Sequence, residues 1–367
     1  MSQPDGNLAL APAARVQQLN QRLNGRLVVV VLLVGLGLSL LGVGHLLLVL
    51  RSVLSAVDLA LLARLLGVLL LVLIPTAGIY SLIGQFAFWE GWLQGLPLPE
   101  QLFAATTPGA VSSHRRYIIY LDGIHQLERD HPPRVSAFLA LLEQSLPDDT
   151  RLVRGLEAYT VMPVSLAEDA GGAWLWRRLF ALQEHHPNAL VQFLSAVMVQ
   201  GNNVIKVGIS SDRRYGPILN YELSLKIALR LEEAGFQPDS GSELVLLGYS
   251  GGAEMAMGVA DYLRRLCRAP VRIVTFCGVF SGNQVLDAVD RITTVVGSHD
   301  PVAALGRLTY PGRSSLQPLS YWNQALRRRQ IDRAVIAGMN HNGCRGPFSE
   351  LYRQQVVDQV LAAVMPC

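Results

Sequence analysis

The distribution of hydrophobic residues divides the chain into two parts with different patterns. Residues 27–50 and 65–84 contain no Asp, Glu, Lys or Arg, and a helix of either length would span about 30 Å, the thickness of the hydrocarbon core of a bilayer. Three charged residues lie between the two runs and place the turn at a membrane interface, because charges are costly inside a bilayer. The pattern predicts a two-helix transmembrane hairpin over residues 27–84.

The segments that flank this hairpin fit the same interpretation. Residues 1–26 are a polar arm, and residues 85–113, which begin with several aromatic residues and continue with prolines, are predicted to be an interfacial linker. Two crossings return the chain to its starting side, and arginines are slightly more frequent before the first span than in the turn. We therefore expect a multi-pass membrane protein whose C-terminal domain is cytoplasmic.

The pattern changes after about residue 114 to short apolar runs that alternate with segments of helical periodicity, which is typical of a parallel sheet covered by helices. Residues 114–367 are thus predicted to form an α/β domain with a doubly wound, mostly parallel sheet of about six strands. The predicted strands are Tyr117–Leu121, Arg151–Met162, Glu243–Gly248, Val271–Cys277, Ile292–Val296 and Ala334–Ala337. The predicted helices are 133–146, 216–234, 252–266, 318–329 and 349–364.

Residues 163–215 interrupt this alternation with two apolar, helix-compatible stretches, 173–182 and 189–200. Their aromatic residues either line a lipophilic pocket as a cap or form the packing face of an ordinary helical insertion. The pattern favours neither interpretation; the residues concerned are Trp174, Trp176, Phe180 and Phe193.

Composition excludes several classes of protein. Half of the residues are hydrophobic and the formal net charge is only +3, which is too small to indicate binding to nucleic acid. The four cysteines show no paired spacing, which fits a reducing compartment better than a disulfide framework. No phosphate-binding glycine loop, cofactor motif or metal-ligand spacing is recognisable, so we expect neither a cofactor nor a metal.

The most informative motif is Gly248-Tyr249-Ser250-Gly251-Gly252, which matches G-x-S-x-G and directly follows the apolar run Leu244–Leu247. A helix-compatible segment follows at once, so strand, tight turn and helix start occur in the order of a nucleophile elbow. Glycines next to the serine permit a strained turn and close approach of a substrate. The competing interpretation is an ordinary glycine-rich turn between a strand and a helix.

Two further polar residues follow predicted strands, and reacting groups in such sheets gather at the carboxyl ends of the strands. Asp300 follows the strand at 292–296, and His341 follows the strand at 334–337. The alternative acids Asp287 and Asp290 precede a strand and would lie at its opposite end.

The order Ser, Asp, His at the ends of successive strands resembles the α/β-hydrolase superfamily over most of residues 114–367. The resemblance implies that Ser250 is the nucleophile, His341 the base and Asp300 the acid that orients it. It also implies oxyanion donors at the backbone N–H of Gly251 and in the loop after Leu121, at Gly123 or Ile124. The chain departs from the family pattern in having no antiparallel strand pair before Tyr117, so we expect a truncated sheet.

The other histidines are predicted to be surface or capping groups. His299 is expected to point away from the site. Four more histidines show no metal-ligand pattern and are expected to be solvated or capping residues; they are His125, His131, His185 and His186.

The sequence as a whole predicts a membrane-anchored serine hydrolase that cleaves a lipophilic carboxylic ester or thioester through an acyl-enzyme. The expected partners are the lipid bilayer and this small-molecule substrate; the sequence does not indicate an oligomeric state. An acyltransferase or peptidase would use the same triad, and an inactive binding or scaffolding module would keep the same fold.

Overall fold

The computed structural model describes residues 111–126, 131–159, 186–309 and 311–365 continuously, and isolated positions elsewhere from 41 to 103 and from 178 to 183. The predicted arm, most positions of the two spans and of the linker, and residues 163–177 of the predicted insertion lie outside these residues. Among the residues that the structure describes, no helix is long and apolar enough to cross a membrane.

The chain forms two compact units. One unit contains residues 1–16, 96–160 and 206–367; the other contains residues 17–95 and 161–205. The described part of the second unit consists of isolated helical positions, residues 186–188, and the first 17 residues of one long helix, 189–205.

Six parallel strands form one sheet in the first unit, which confirms the predicted α/β architecture. The strands are β1 (Arg116–Leu121), β2 (Thr150–Val153), β3 (Glu243–Tyr249), β4 (Val271–Phe276), β5 (Arg291–Gly297) and β6 (Ile331–Ile336), in the order β2-β1-β3-β4-β5-β6. The described helices are α1 (Pro133–Gln144), α2 (Ala189–Ser211), α3 (Gly216–Glu233), α4 (Gly252–Cys267), α5 (Pro301–Thr309), α6 (Tyr321–Arg327) and α7 (Arg353–Val364), with 3₁₀ turns at Pro311–Arg313 and Gly343–Arg345.

Helices cover both faces of this sheet, and the alternation of side chains along the strands decides which helix covers which face. On one face, alternate residues of β1 and β3 to β6 form a continuous core with the apolar faces of α1 and α7. Gly248 belongs to the other face, where the start of α4 lies against it: a Cβ at Gly248 would come within 2.7 Å of Ala253 Cα. The helix α4 packs there on β1, β3 and β4, and α3 packs on α4.

The order of the strands fixes where a ligand can bind. The chain adds β2 on one side of β1 and then crosses to place β3 on the other side, with Arg116 opposite Glu243 and Leu121 opposite Gly248. The carboxyl ends of β1 and β3 therefore meet at a topological switch point, which is the usual place for a binding crevice in an open parallel sheet.

Several predicted boundaries were wrong. The strand expected over Arg151–Met162 ends at Val153, because Gly155 takes a positive φ of 72° and turns the chain away from the sheet. The helix around 189–200 extends to Ser211. The helix α5 was not predicted at all; it has only nine residues, and so short a segment shows its helical period over little more than two turns.

A buried ion network ties the start of the sheet together and provides a test of the fold. Glu243 accepts hydrogen bonds from Arg116 Nε at 2.9 Å and from Arg272 Nη2 at 2.7 Å. Burial alone would raise the pKa of Glu243, but the hydrogen bonds from the two arginines outweigh it and the pKa is lowered. The network therefore stabilises the fold above the pKa of the unfolded carboxyl group, and this contribution is lost as the pH falls through the lowered pKa.

We expect Glu243→Gln to lower the free energy of unfolding by about 1–3 kcal/mol near neutral pH, because two buried guanidinium groups lose their charged acceptor. Thermal unfolding midpoints measured from neutral to acid pH should converge for the variant and the wild type as Glu243 is protonated. Glu233→Gln is the control, since its partner Arg230 and the Glu233 side chain are 37% and 51% exposed and such pairs contribute little. Equal midpoints for Glu243→Gln and wild type at neutral pH would contradict the prediction.

Candidate active site

The turn after β3 holds Ser250 in a strained conformation. Ser250 has a φ of +49°, lies between the end of β3 at Tyr249 and the start of α4 at Gly252, and is only 7% exposed. A non-glycine residue at positive φ is uncommon and is kept there only when its surroundings enforce it. This is the geometry of a nucleophile elbow.

Packing of the turn on β1 enforces this conformation. A Cβ at Gly252 would clash with the carbonyl oxygen of Leu121 and would meet that of Asp122 at 2.5 Å. The neighbouring Gly123 lies against Ser250, with the Ser250 Cβ 3.2 Å from the Cβ position that Gly123 lacks. The absence of side chains at positions 123 and 252 therefore brings the loop after β1 onto the serine.

Three side chains that are far apart in sequence meet at this turn. Ser250 Oγ is 2.9 Å from His341 Nε2, and His341 Nδ1 is 3.0 Å from each carboxylate oxygen of Asp300. A carboxylate only accepts hydrogen bonds, so Nδ1 carries the proton and Nε2 is left to accept the serine hydroxyl proton. The three residues are buried, and this arrangement can transfer a proton from Ser250 to His341.

Asp300 is fixed by the helix that follows it. Its Oδ1 accepts a hydrogen bond from the Ala303 backbone N–H at 2.9 Å, so Asp300 caps α5 as well as orienting His341. Burial by itself would raise the pKa of Asp300, but the hydrogen bonds from His341 and Ala303 lower it below its usual value. The carboxylate therefore stays ionised beside the imidazole.

Backbone contacts between the loops after β5 and β6 bring Asp300 and His341 together. A Cβ at Gly297 would clash with the carbonyl oxygen of Met339. That same oxygen accepts a hydrogen bond from His299 N–H at 3.1 Å. Gly338 N–H in turn donates to Ser298 Oγ at 2.8 Å.

Tyr249, which the sequence did not single out, holds His341 from the strand side. Its hydroxyl donates to the carbonyl oxygen of His341 at 3.0 Å and also bonds with Asn342 Oδ1. The ring of Tyr249 stacks near that of His341 at 5.7 Å between centroids and meets Phe348 edge-on at 4.6 Å. Tyr249, the residue before Ser250, thus positions the loop that carries His341.

Cys277 is a second neighbour that the sequence did not indicate. It follows β4 with a φ of +49° and is fully buried. Its Sγ lies within 4.8 Å of a carboxylate oxygen of Asp300 and of a ring nitrogen of His341. The Sγ also approaches Asn340 O at 3.8 Å. Burial, and then the charge of Asp300, raise the pKa of this thiol, so it stays protonated beside the carboxylate.

The predicted oxyanion donors differ in what they contact. The Gly251 N–H has no acceptor among the described residues and lies at the start of α4, where the helix dipole favours negative charge. The Gly123 N–H, in contrast, donates to Asp122 Oδ1 at 2.8 Å and is occupied in this conformation. Ile124 contacts the turn, with its Cγ2 3.0 Å from the Cβ position that Gly251 lacks.

A buried polar network positions the loop that carries Gly123 and Ile124. Asp122 accepts hydrogen bonds from the Tyr120 hydroxyl and from His131 Nδ1, both at 2.9 Å, and its carbonyl oxygen accepts from the Tyr159 hydroxyl at 2.7 Å. Lys206 in turn donates to the carbonyl oxygen of Tyr159. Each of these donors is buried, so the loop after β1 is held from several sides.

His131 corrects a prediction. It was expected to be a solvated or capping residue, but its side chain is only 5% exposed, and its Nε2 accepts a hydrogen bond from Gly155 N–H at 3.3 Å while Nδ1 contacts Asp122. Sequence spacing gave no signal for this pair, because Asp122 belongs to a strand end and His131 lies in a separate segment nine residues later.

The other candidates take no part in the triad. His299 is exposed, as predicted, and bonds with Ser298. Asp287 and Asp290 form ion pairs with arginines instead. His125 is exposed, as predicted, while His185 lies outside the described residues.

Glu254 is a buried carboxylate one helical turn after Ser250, but its contacts point away from the triad. It accepts hydrogen bonds from Ser281 Oγ at 3.1 Å and Gln284 Nε2 at 2.7 Å, and from Ser281 N–H. Burial raises the pKa of Glu254 despite these bonds. Its contacts tie the loop after β4 to α4.

The burial of Cys277 can be tested by chemical labelling. In the folded protein we expect a maleimide to modify the exposed Cys344 well before Cys277 or Cys267, because burial raises the pKa of both of these thiols and blocks the reagent. Peptide mass spectrometry before and after unfolding in denaturant measures the order. Labelling of Cys277 as fast as Cys344 in the folded chain would show that the acid end of the site is open to solvent.

Comparison of the chain with protein-family models, with curated proteins and with solved structures gave no match. The assignment of a function therefore depends on the chemistry of the side chains described above.

Proposed function

We propose that the chain is a serine hydrolase of the α/β-hydrolase type that cleaves a carboxylic ester or thioester through an acyl-enzyme. The observation that carries this proposal is the continuous hydrogen-bonded arrangement of Ser250, His341 and Asp300, on a serine at positive φ. A glycine-rich turn without catalytic function has no need for a buried histidine and carboxylate aligned on its serine.

The geometry supports a two-step mechanism. In the first step, Ser250 Oγ attacks the carbonyl carbon of the substrate while its proton moves to His341 Nε2. Asp300 stabilises the imidazolium that forms. His341 then returns the proton to the departing alkoxide or thiolate, and the acyl group stays on Ser250. In the second step, a water molecule gives a proton to His341 as it attacks the acyl-enzyme, and the carboxylic acid leaves as Ser250 regains its proton.

The negative charge of each tetrahedral intermediate develops next to the start of α4. We assign one donor to the Gly251 N–H and expect the other in the loop after β1, at Gly123 or Ile124. The Gly123 N–H donates to Asp122 in this conformation, so its use as a donor to the substrate would require that bond to break. A single oxyanion donor is typically worth about 10²–10³ in turnover. The Asp122 network then has the role of holding the loop in place.

The surroundings of the elbow favour an apolar acyl group. The Cβ position that Gly251 lacks is bordered at 3.0 Å by methyl groups of Ile124 and Val207 and at 3.1 Å by the Tyr159 hydroxyl. A lipophilic substrate would bury apolar surface against such side chains.

Attachment to a membrane is part of the proposal. Its basis is the pair of uncharged runs at 27–50 and 65–84. One contact supports a hairpin: Gly42 and Val72, one from each run, are helical and so close that a Cβ at Gly42 would clash with Val72. Small residues permit such close approach of membrane helices. We place the catalytic domain on the cytoplasmic side, following the arginine distribution.

Labelling with a fluorophosphonate tests the nucleophile. Ser250→Ala should abolish labelling, and His341→Ala should reduce it strongly because the hydroxyl loses its base. Asp300→Asn should lower ester turnover about 10⁴-fold, since an amide favours the wrong imidazole tautomer. The control is Ser224→Ala, which removes another buried hydroxyl, bonded to Tyr221 O in α3, and should label normally. A folded wild-type chain that is never labelled would favour a binding or scaffolding module instead.

Tyr249→Phe tests whether positioning of the base contributes to catalysis. The variant keeps the ring and loses the hydrogen bond to the His341 carbonyl, so we expect kcat to fall about tenfold with little change in KM, as the loss of one buried hydrogen bond would give. Tyr117→Phe is the matched control. Tyr117 is also buried in the sheet, but its hydroxyl accepts a hydrogen bond from His114 N–H, before the start of β1. Equal kcat values for the two variants, measured with p-nitrophenyl esters, would contradict a positioning role for Tyr249.

A further inference from the structure

The segment between α5 and β6 exposes apolar side chains that a soluble surface would normally cover. Leu316 is 89% exposed and Leu319 is 82% exposed, within the turn that precedes α6. We call residues 314–320 the leucine turn. Two leucines presented to solvent so fully, three positions apart and with Pro318 between them, are a candidate interaction surface.

Hydrogen bonds from side chains of α6 hold the leucine turn in a defined conformation. Its backbone carbonyl groups are bonded by side chains of α6: Asn323 Nδ2 donates to Ser314 O and Gln317 O, both at 2.8 Å, and Gln324 Nε2 donates to Leu319 O at 2.7 Å. Arg327 Nη1 donates to Pro318 O at 2.6 Å. Because these carbonyl groups already accept hydrogen bonds from the protein, they do not lose hydrogen bonds to water when the turn enters an apolar environment.

The base of the turn is anchored to the domain. The guanidinium group of Arg313 lies 4.1 Å from the ring centroid of Phe280 and 6.0 Å from that of Trp322. Ser320 caps the start of α6, its Oγ accepting from Asn323 N–H at 3.2 Å. These contacts keep the two leucines pointing outward.

The segment of chain that carries the turn has charges of one sign. Residues 301–331 contain five arginines and no Asp, Glu or Lys, although the whole chain has a net charge of only +3. Arg327 and Arg329 are exposed at the end of α6, while Arg328 is paired with Asp287 at 2.6 Å. A groove beside the turn is lined by Leu319, Tyr321 and Arg213, among other residues. Arg213 is charged and exposed there, with its Nη2 3.2 Å from the Tyr321 hydroxyl.

We propose that the leucine turn docks on an anionic lipid surface, with Leu316 and Leu319 inserted among the acyl chains and with Arg213, Arg327 and Arg329 at the headgroups. The inference rests on the membrane attachment in the proposed function and adds the face of the domain that meets the bilayer. Exposed apolar side chains surrounded by cationic ones are the pattern of interfacial membrane binding. A nucleic acid would pair with the arginines and leave the leucines in water, so the lipid surface fits the turn better.

An environment-sensitive fluorophore on the turn tests this docking. The label is attached to Leu319→Cys in a full-length chain that also carries Cys344→Ser and Cys367→Ser, and the chain is reconstituted in nanodiscs of phosphatidylcholine with or without phosphatidylglycerol. We expect the emission to shift to shorter wavelength and rise severalfold in the anionic discs, and the shift to decrease at high salt or with Arg213→Ser and Arg329→Ser together. The control label is attached to Leu351→Cys. Leu351 is also exposed, at 62%, but it follows the acidic residue Glu350 and lies outside the leucine turn.

The possible outcomes separate docking from the proposed function. A chain that does not co-elute with nanodiscs would overturn membrane attachment and the docking with it. Co-elution without a shift at position 319, or with an equal shift at position 351, would overturn docking alone. An equal shift in discs of phosphatidylcholine would overturn the role of anionic lipid, and a shift in detergent that grows with protein concentration would assign the turn to a second copy of the chain. Ester turnover of the labelled chain is measured separately and should not change.

Discussion

The site depends on how closely the turn after β3 packs on the carboxyl end of β1. Gly252 lies so near the carbonyl groups of Leu121 and Asp122, at the end of β1, that no side chain fits there, and Gly123 lies against the serine. This contact between neighbouring parallel strands keeps Ser250 at positive φ, next to the Gly251 N–H, which has no acceptor among the described residues. Substitution of either glycine would separate two strand ends that hold different parts of the same chemistry.

The parts of the site that could be predicted are those that depend on local sequence. G-x-S-x-G after an apolar run indicates a turn between a strand and a helix because glycine has a distinctive backbone preference. Asp300 and His341 could be proposed because both follow strands, and the ends of parallel strands lie at one edge of a sheet. The number and direction of the strands followed from the alternation of apolar runs and helical periodicity.

The parts that could not be predicted depend on contacts between residues distant in sequence. Tyr249 and Cys277 look like ordinary strand-end residues, and only the register of the sheet brings them to His341 and Asp300. The pairing of Asp122 with His131 likewise requires the chain to fold back after β1, and no periodicity encodes that. The occupied N–H of Gly123 follows from the same pairing, since Asp122 is turned inward by Tyr120 and His131 and then reaches its own neighbour.

The hydrogen bond from Tyr249 to the carbonyl oxygen of His341 has a mechanical consequence. It links the strand that precedes Ser250 directly to the loop that carries His341, so these two residues cannot separate without breaking a buried bond and unstacking two rings. In the proposed hydrolase, room for a bulky acyl chain would therefore come from the side where Ile124 and Val207 adjoin Gly251. If the proposal holds, selectivity for chain length should be adjustable at those two positions while Ser250 and His341 keep their geometry.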